Sequence, residues 1–235
     1  MKVVALILAA GRGARLSHSL PKAFVPLLGK ALVVRSLEGL AAVPEIDGVI
    51  PVVAQSDMER FGALDLSHIP KLLPPVVGGA ERQDSVAAGL ASLGEEVEMV
   101  AVHDAARCLV GRDEVSRVIA AAREMGAAIL AQPVRDTIKR VRSGVVLGTP
   151  PREECWAAQT PQVFRVEILR DAMAKARAEG RIGTDDAQLV EQLGLPVRIV
   201  EGGPRNFKIT LPEDLALAEL WLRSEEAEAM SEEKQ

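Results

Sequence analysis

The sequence predicts an α/β fold: a Rossmann-like, mainly parallel twisted sheet flanked by helices, with a projecting β-arm. Three observations carry this. Up to Pro133, short apolar runs alternate with amphipathic segments, the rhythm of β-α-β units. The first run ends in a small-residue loop, and open sheets of this kind gather ligands at such strand ends. Beyond Pro133 the rhythm breaks into a hairpin-like stretch before it resumes.

Taken in order, Val3–Ala9 is an unbroken apolar run behind a single basic residue, Lys2. It is too short and too weakly flanked for a secretory leader and reads as a buried strand. Further strands are expected at Gly48–Ala54, Leu72–Val77, Glu98–His103 and Ala127–Gln132, with helices at Ala31–Ala42, Arg82–Leu93 and Arg112–Met125. Pro51 has no N–H to give a ladder, so it fits only a first residue or an edge. After Pro133, Asp136–Arg142 and Val145–Leu147 surround Ser143-Gly144 as a hairpin, and Thr149-Pro150-Pro151-Arg152 leads towards Cys155–Gln159. The stretch 133–156 is therefore expected to be an arm outside the core sheet. Helical patterns return at Arg165–Ala178 and Asp185–Leu193, and strands at Val197–Glu201 and Asn206–Thr210. A last helix begins near Pro212 and is expected to fray into an acidic tail over 224–235. Without repeats or long linkers, residues 1–235 read as one domain.

Composition narrows the function. The chain of 235 residues is 48% hydrophobic and 26% charged, which excludes a disordered chain, and no apolar run approaches the roughly eighteen residues that cross a bilayer. The formal net charge is −5, and residues 224–235 hold five Glu and one Lys, so the body is close to neutral. With 3% aromatics and no Tyr there is neither the basic face nor the stacking platform of a nucleic-acid binder. No nucleic-acid or membrane partner is expected. Cys108 and Cys155 stand far apart without metal-ligand spacing, which fits a reducing, cytoplasmic setting.

The first strand runs into Leu8-Ala9-Ala10-Gly11-Arg12-Gly13-Ala14-Arg15-Leu16, with Pro21-Lys22 close behind. Small residues let backbone N–H groups approach phosphate oxygens, and Arg15 and Lys22 bring two cations to one polyanion. Leu16 stands where the dinucleotide fingerprint needs Gly, and no Gly-Lys-Ser/Thr follows. By themselves these residues fit either a phosphate cradle or a strand-to-helix loop with solvated arginines. Gly78–Ser85 fits a helix start that reads a base edge, or one whose Ser85 simply bonds back to the backbone. Asp104 suits a Mg²⁺ ligand beside phosphates or a helix cap. On the arm, Arg135, Lys139, Arg140 and Arg152 suit an anion or plain solvation. Thr184-Asp185-Asp186-Ala187 is a helix start with Thr184 as cap and two acids in the first turn.

The loop with its Pro-Lys resembles the nucleotidyltransferases of the mixed α/β type. Gly78–Ser85, His103-Asp104-Ala105-Ala106-Arg107, Pro133–Lys139, Thr160-Pro161-Gln162, Thr184–Ala187 and Asn206-Phe207-Lys208-Ile209-Thr210 then occur in the order seen in the 2-C-methyl-D-erythritol 4-phosphate cytidylyltransferase family. The resemblance covers about residues 3–220 and implies a single nucleotidyltransferase domain that moves CMP from CTP to the polyol phosphate.

It also implies roles. Arg15, Lys22, Arg152 and Lys208 would be catalytic, the first pair at the transferring phosphorus and the second holding the acceptor phosphate. Ala9, Ala10, Gly11, Gly13, Gly79, Ala80, Arg82 and Ser85 would bind the nucleotide. Asp104 would orient Mg²⁺, and Asp104, Arg107, Thr137 and Thr184 would contact substrate. Thr137 would come from the other subunit of a homodimer whose arms share the active sites. His103 is expected to be packed at its strand end, because a phosphate nucleophile has no proton to lose. A cytidylyltransferase for ribitol 5-phosphate, a dinucleotide-dependent oxidoreductase and a non-catalytic nucleotide sensor are the alternatives; Leu16 opposes the second, and the pair Lys22 and Lys208 the third.

Overall fold

The computed structural model describes residues 1–11, 16 and 20–232. The chain begins with β1 (Lys2–Leu8), the short pair β2 (Pro26–Leu27) and β3 (Lys30–Ala31), α1 (Leu32–Ala41) and β4 (Gly48–Val53). It continues through α2 (Met58–Gly62), β5 (Val76–Val77), α3 (Arg82–Ala91), β6 (Val97–Asp104), α4 (Arg112–Met125) and β7 (Ala127–Pro133). The arm carries β8 (Arg140–Arg142) and β9 (Val145–Gly148). Then come β10 (Trp156–Arg165), α5 (Val166–Ala178), α6 (Asp186–Glu191), β11 (Arg198–Glu201) and α7 (Pro212–Glu232).

The main sheet has seven strands in the order β11-β7-β10-β6-β1-β4-β5, all parallel except β10, which runs against both its neighbours. This mainly parallel sheet between helical layers is the expected fold class. Alternation along β1 sends Val3, Ala5 and Ile7 to one face, where α1 and α4 pack, and Val4 and Leu6 to the other, against α3 and α5. After β1 the chain steps outward through β4 and β5, then returns to lay β6 on the other side of β1. That reversal opens a crevice beyond the carboxyl ends of β1 and β6. No helix among the described residues is long and apolar enough to cross a membrane.

Several expectations need correction. The strand expected over Leu72–Val77 is reduced to a bridge at Leu72 and the two residues of β5. Pro74 and Pro75 lie between them and cannot donate. Pro51 sits inside β4, paired with Ile7 on the β1 side, and its missing N–H turns towards this same gap. Trp156–Arg165 is a ten-residue strand of the central sheet, where no core strand was expected. Its buried Gln159, Thr160 and Gln162 break the apolar pattern and are satisfied by partners distant in sequence. Asn206–Thr210 is not a strand. Asn206 Nδ2 donates to Gln159 Oε1 and to the Thr160 carbonyl at 3.1 and 2.9 Å, so the segment crosses the end of the sheet instead of joining it. Finally, α7 runs on to Glu232, through most of the stretch expected to fray, because Glu, Ala and Met are good helix formers.

The arm is a two-residue hairpin. Ser143 and Gly144 have φ of 49° and 79°, the left-handed pair whose twist matches the flanking strands. Its strands pair with no other strand among the described residues, and Val141, Val145, Val146 and Leu147 are each more than half exposed.

Candidate active site

The crevice contains a cleft of about 240 Å³ lined by Leu8 to Gly11 after β1, Lys22 and Ala23, Gly79 to Arg82, Ser85, Asp104 to Ala106, and Lys208. Ala9 N donates to the Val52 carbonyl at 2.8 Å and Ala105 N to that of Leu8 at 3.1 Å, so both loops leave the sheet in register. Gly78 shows why small residues are required. A Cβ there would lie 2.7 Å from Ala10 Cβ and 2.8 Å from Ser85 Oγ, forcing apart two walls of the cleft. At Gly79 it would lie 2.3 Å from Asp84 Cβ. Ser85 is buried in the first turn of α3 and its hydroxyl donates to the Glu81 carbonyl at 3.2 Å.

The charged floor is an ion-pair chain. Lys208 Nζ lies 2.7 Å from Asp104 Oδ2, Arg82 Nε donates to Asp104 Oδ1 at 3.3 Å, and Arg82 Nη1 lies 2.8 Å from Asp186 Oδ2. Burial disfavours the Asp104 carboxylate, yet Arg82 and Lys208 together hold its pKa far below the usual range, so it is ionised at neutral pH. Burial also presses on Arg82, but Asp186 and Asp104 raise its pKa further, and it stays charged. The cleft therefore presents Lys22, Arg82 and Lys208 around one carboxylate.

Lys208 arrives on a strap that is tightly held. Ile209 N donates to the Ala106 carbonyl at 2.9 Å, and Arg107 Nη1 and Nη2 donate to the Asn206 and Ala158 carbonyls at 2.6 and 3.2 Å. His103, fully buried as expected at its strand end, locks the other side. Thr160 Oγ1 accepts from Asp104 N at 3.1 Å, which leaves its own hydrogen for His103 Nδ1, also at 3.1 Å. Nε2 then carries the ring proton and donates to the Arg107 carbonyl at 3.2 Å.

Burial pushes the His103 pKa down from 6.5 to about 4. The imidazole is neutral in the fold, while the unfolded chain takes up a proton below about 6.5. Its contribution is fully present above that value and is lost as pH falls towards about 4, by at most ~1.4 kcal/mol per pH unit. The urea midpoint should therefore drop between pH 7 and pH 5, and His103→Gln should flatten that slope; an equal slope in the variant refutes it. Asp104 does not blur the slope between pH 7 and pH 5, since its contribution is lost only as pH falls into and below the ordinary carboxylate range.

Of the expected site residues, the structure gathers Ala9, Ala10, Gly11, Lys22, Gly79, Ala80, Arg82, Ser85, Asp104 and Lys208 at one cleft. Gly13 and Arg15 lie outside the described residues. Arg107, expected to face substrate, instead ties the strap through backbone carbonyls. Thr184 is not the cap of α6: Asp185 is, accepting from Gln188 N at 3.0 Å, while Thr184 N and Oγ1 donate to Gln188 Oε1 at 2.8 and 3.4 Å. Thr137 and Arg152 sit on the arm, away from the cleft lining, with Arg152 Nη1 donating to the Arg135 carbonyl at 3.1 Å. Cys108 is no candidate nucleophile, because burial pushes its thiol up to about 12.

Asp186 and Gln162 carry more than the sequence reading assigned to them. Asp186 was only a helix-start acid, yet its carboxylate is 1% exposed and faces Arg82. Adjacent acids at a helix start were the available signal, but nothing local says that the second turns inward. Gln162 Oε1 accepts from Asp186 N and Ala187 N at 3.1 and 3.0 Å, and its Nε2 donates to Asp185 Oδ2 at 2.8 Å. One buried amide thus seats the start of α6 on β10.

The model of the 2-C-methyl-D-erythritol 4-phosphate cytidylyltransferase family matches residues 3–224. The chain belongs to that family. A family protein of this name from Symbiobacterium thermophilum is 46% identical over 95% of this chain and 94% of its own length. One from a Synechococcus species is 46% identical over 93% and 97%. The crystal structure of the family enzyme from Thermus thermophilus superposes with a TM-score of 0.78 at 39% identity, covering 95% of this chain and all of that one. That of 4-diphosphocytidyl-2C-methyl-D-erythritol synthase from Anaerococcus prevotii gives 0.84 at 29%, covering 94% and 96%. The cleft of this chain places small residues and lysines at a sheet switch point, where dinucleotide enzymes carry a glycine fingerprint.

Proposed function

We propose that the cleft binds CTP and that the chain transfers its CMP to 2-C-methyl-D-erythritol 4-phosphate, giving 4-diphosphocytidyl-2-C-methyl-D-erythritol and pyrophosphate in isoprenoid precursor biosynthesis. The observation that carries this is the convergence of Lys22, Arg82 and Lys208 with the small-residue walls at Ala9–Gly11 and Gly78–Ala80. Gly79, Ala80 and Ser85 line one side of the cleft, and in this reading they hold cytosine and exclude purines by shape.

In this mechanism an acceptor phosphate oxygen attacks the α-phosphorus of CTP in line as the bond to the β-phosphate's bridging oxygen breaks. Both reactants are anions, so the chain's work is to bring them together and offset charge on the five-coordinate phosphorus. Lys22 meets the transferring phosphate, with Arg15 assigned beside it by the family resemblance, and Lys208 holds the acceptor. Among the described residues no group of three metal-ligating side chains exists. The single carboxylate of Asp104 still suits Mg²⁺, which binds one or two carboxylates and takes its other ligands from phosphates and water. When bound, Mg²⁺ would offset charge on the phosphates.

We further propose a homodimer in which the arm of one copy completes the other's site, bringing Thr137, and Arg152 on the same arm, to the acceptor. A lone two-stranded hairpin is marginal in water, and this one exposes four large apolar side chains. A reducing, cytoplasmic setting is consistent with its two unpaired cysteines.

A pyrophosphate-release assay across four nucleoside triphosphates and two acceptors tests the reading. CTP with 2-C-methyl-D-erythritol 4-phosphate should far exceed every other pair, and chelating Mg²⁺ should abolish release. Comparable turnover with ATP or GTP would sink the base slot; equal turnover with ribitol 5-phosphate would move the assignment to another polyol phosphate.

A further inference from the structure

We propose that Asp186 is a positioning residue for nucleotide binding: seated behind Arg82 and outside the cleft lining, it keeps that guanidinium in place when Asp104 is given over to the substrate. This rests on the reading of the cleft as a CTP site.

Arg82 is the first residue of α3, where the helix dipole opposes a cation. Two carboxylates hold it there, and they are not equivalent. Asp104 lines the cleft and shares its oxygens between Arg82 and Lys208. Asp186 is 1% exposed, does not line the cleft, and makes the shorter contact, 2.8 Å against 3.3 Å. Its backbone is pinned in turn by Gln162 on β10, itself 1% exposed. Because β10 is the direct neighbour of β6, which ends at Asp104, the two carboxylates are referenced to adjacent strands. Arg82 bridges them.

The two cations and two carboxylates of the cleft floor close on themselves. Phosphates and their cation must compete for Asp104, Lys208 and Arg82. If Asp104 were the only partner of Arg82, the guanidinium would either follow it or block it. With Asp186 behind, Arg82 retains one fixed ion pair and turns its remaining donors to the nucleotide.

Coulomb's law alone predicts the opposite of positioning, which makes the test sharp. Removing a buried negative charge beside a polyanion site should tighten CTP; removing an anchor should loosen it. Calorimetric binding of CTP with Mg²⁺ present and the acceptor omitted is compared for wild type, Asp186→Asn, Arg82→Gln and the double variant, with circular dichroism reporting folding. Asp186→Asn should raise the CTP dissociation constant by about tenfold, the size of one lost short ion pair. In the Arg82→Gln background it should change binding by less than about twofold. The KM for CTP should rise with that dissociation constant, while the KM for the acceptor stays put.

Unchanged or tighter CTP binding by Asp186→Asn overturns the proposal, as does an equal loss in both backgrounds, the mark of a merely structural role. If that variant does not fold, Gln162→Met frees the start of α6 without changing charge and should weaken CTP only where Arg82 is present; loss without Arg82 again overturns it. Failure of the wild-type chain to bind CTP overturns the cleft reading and this one together, whereas normal wild-type binding with an unaffected Asp186→Asn overturns only the role of Asp186.

Discussion

Lys22→Ala should lower kcat by about a hundredfold or more while the fold survives, the usual result of removing a preorganised charge from a transition state. Lys22 opens a single turn, Lys22–Phe24, whose other two residues are buried. Ala23 and Phe24 are buried, and Phe24 N donates to the Pro21 carbonyl at 2.8 Å. Truncating the partly exposed side chain therefore leaves the anchor intact. Because the charge is needed most when the α-phosphorus carries an extra ligand, the loss should appear in kcat and in kcat/KM alike. Arg223→Ala, an exposed cation of α7 that does not line the cleft, should change neither by more than about twofold. If Lys22→Ala merely raised KM for CTP, Lys22 would be a binding group and the transition-state role would fall.

About a quarter of wild-type activity should return when a Lys22→Ala chain and a Thr137→Glu chain, each nearly inactive alone, are unfolded together and allowed to reassociate at random. Thr137→Glu sets a carboxylate where the proposed arm contact meets a phosphate. Random pairing makes about half of the dimers mixed, and each mixed dimer holds one doubly damaged site and one native site built from the body of one chain and the arm of the other. Simple mixing without unfolding should recover less if the dimer is long-lived. Size-exclusion chromatography of tagged chains verifies that mixed dimers form. No recovery in their presence would mean that Thr137 serves its own subunit's site or none.

Much of the fold could be read locally. The bounds of α4 follow from Gly111 before its first turn, Glu114 reaching back to Gly111 N at 2.7 Å, and Gly126 with φ of 88° after its last. The hairpin follows equally from Ser143-Gly144. β10 was hidden because its polar residues are satisfied by tertiary partners: Thr160 by His103 and Asp104, Gln162 by Asp185, Asp186 and Ala187. A period-two pattern requires the buried side chains to be apolar, and here they are polar and paired.

By itself the sequence determined the α/β class, the two cleft loops at Ala9–Gly11 and Gly79–Ser85, the family, and most of the charged residues that meet there, because strand runs, glycine loops and ordered motifs are local properties of the chain. Only the tertiary structure decided which cations share which carboxylate. Arg82 stands between Asp104 and Asp186, Arg107 is committed to the Asn206 and Ala158 carbonyls, and Lys208 is delivered by a strap across the sheet end. These pairings join residues up to about a hundred positions apart, and their energies depend on burial and on distances of a few ångströms. Neither quantity is a property of local sequence, so the electrostatics of the site come into existence only when the strands are assembled.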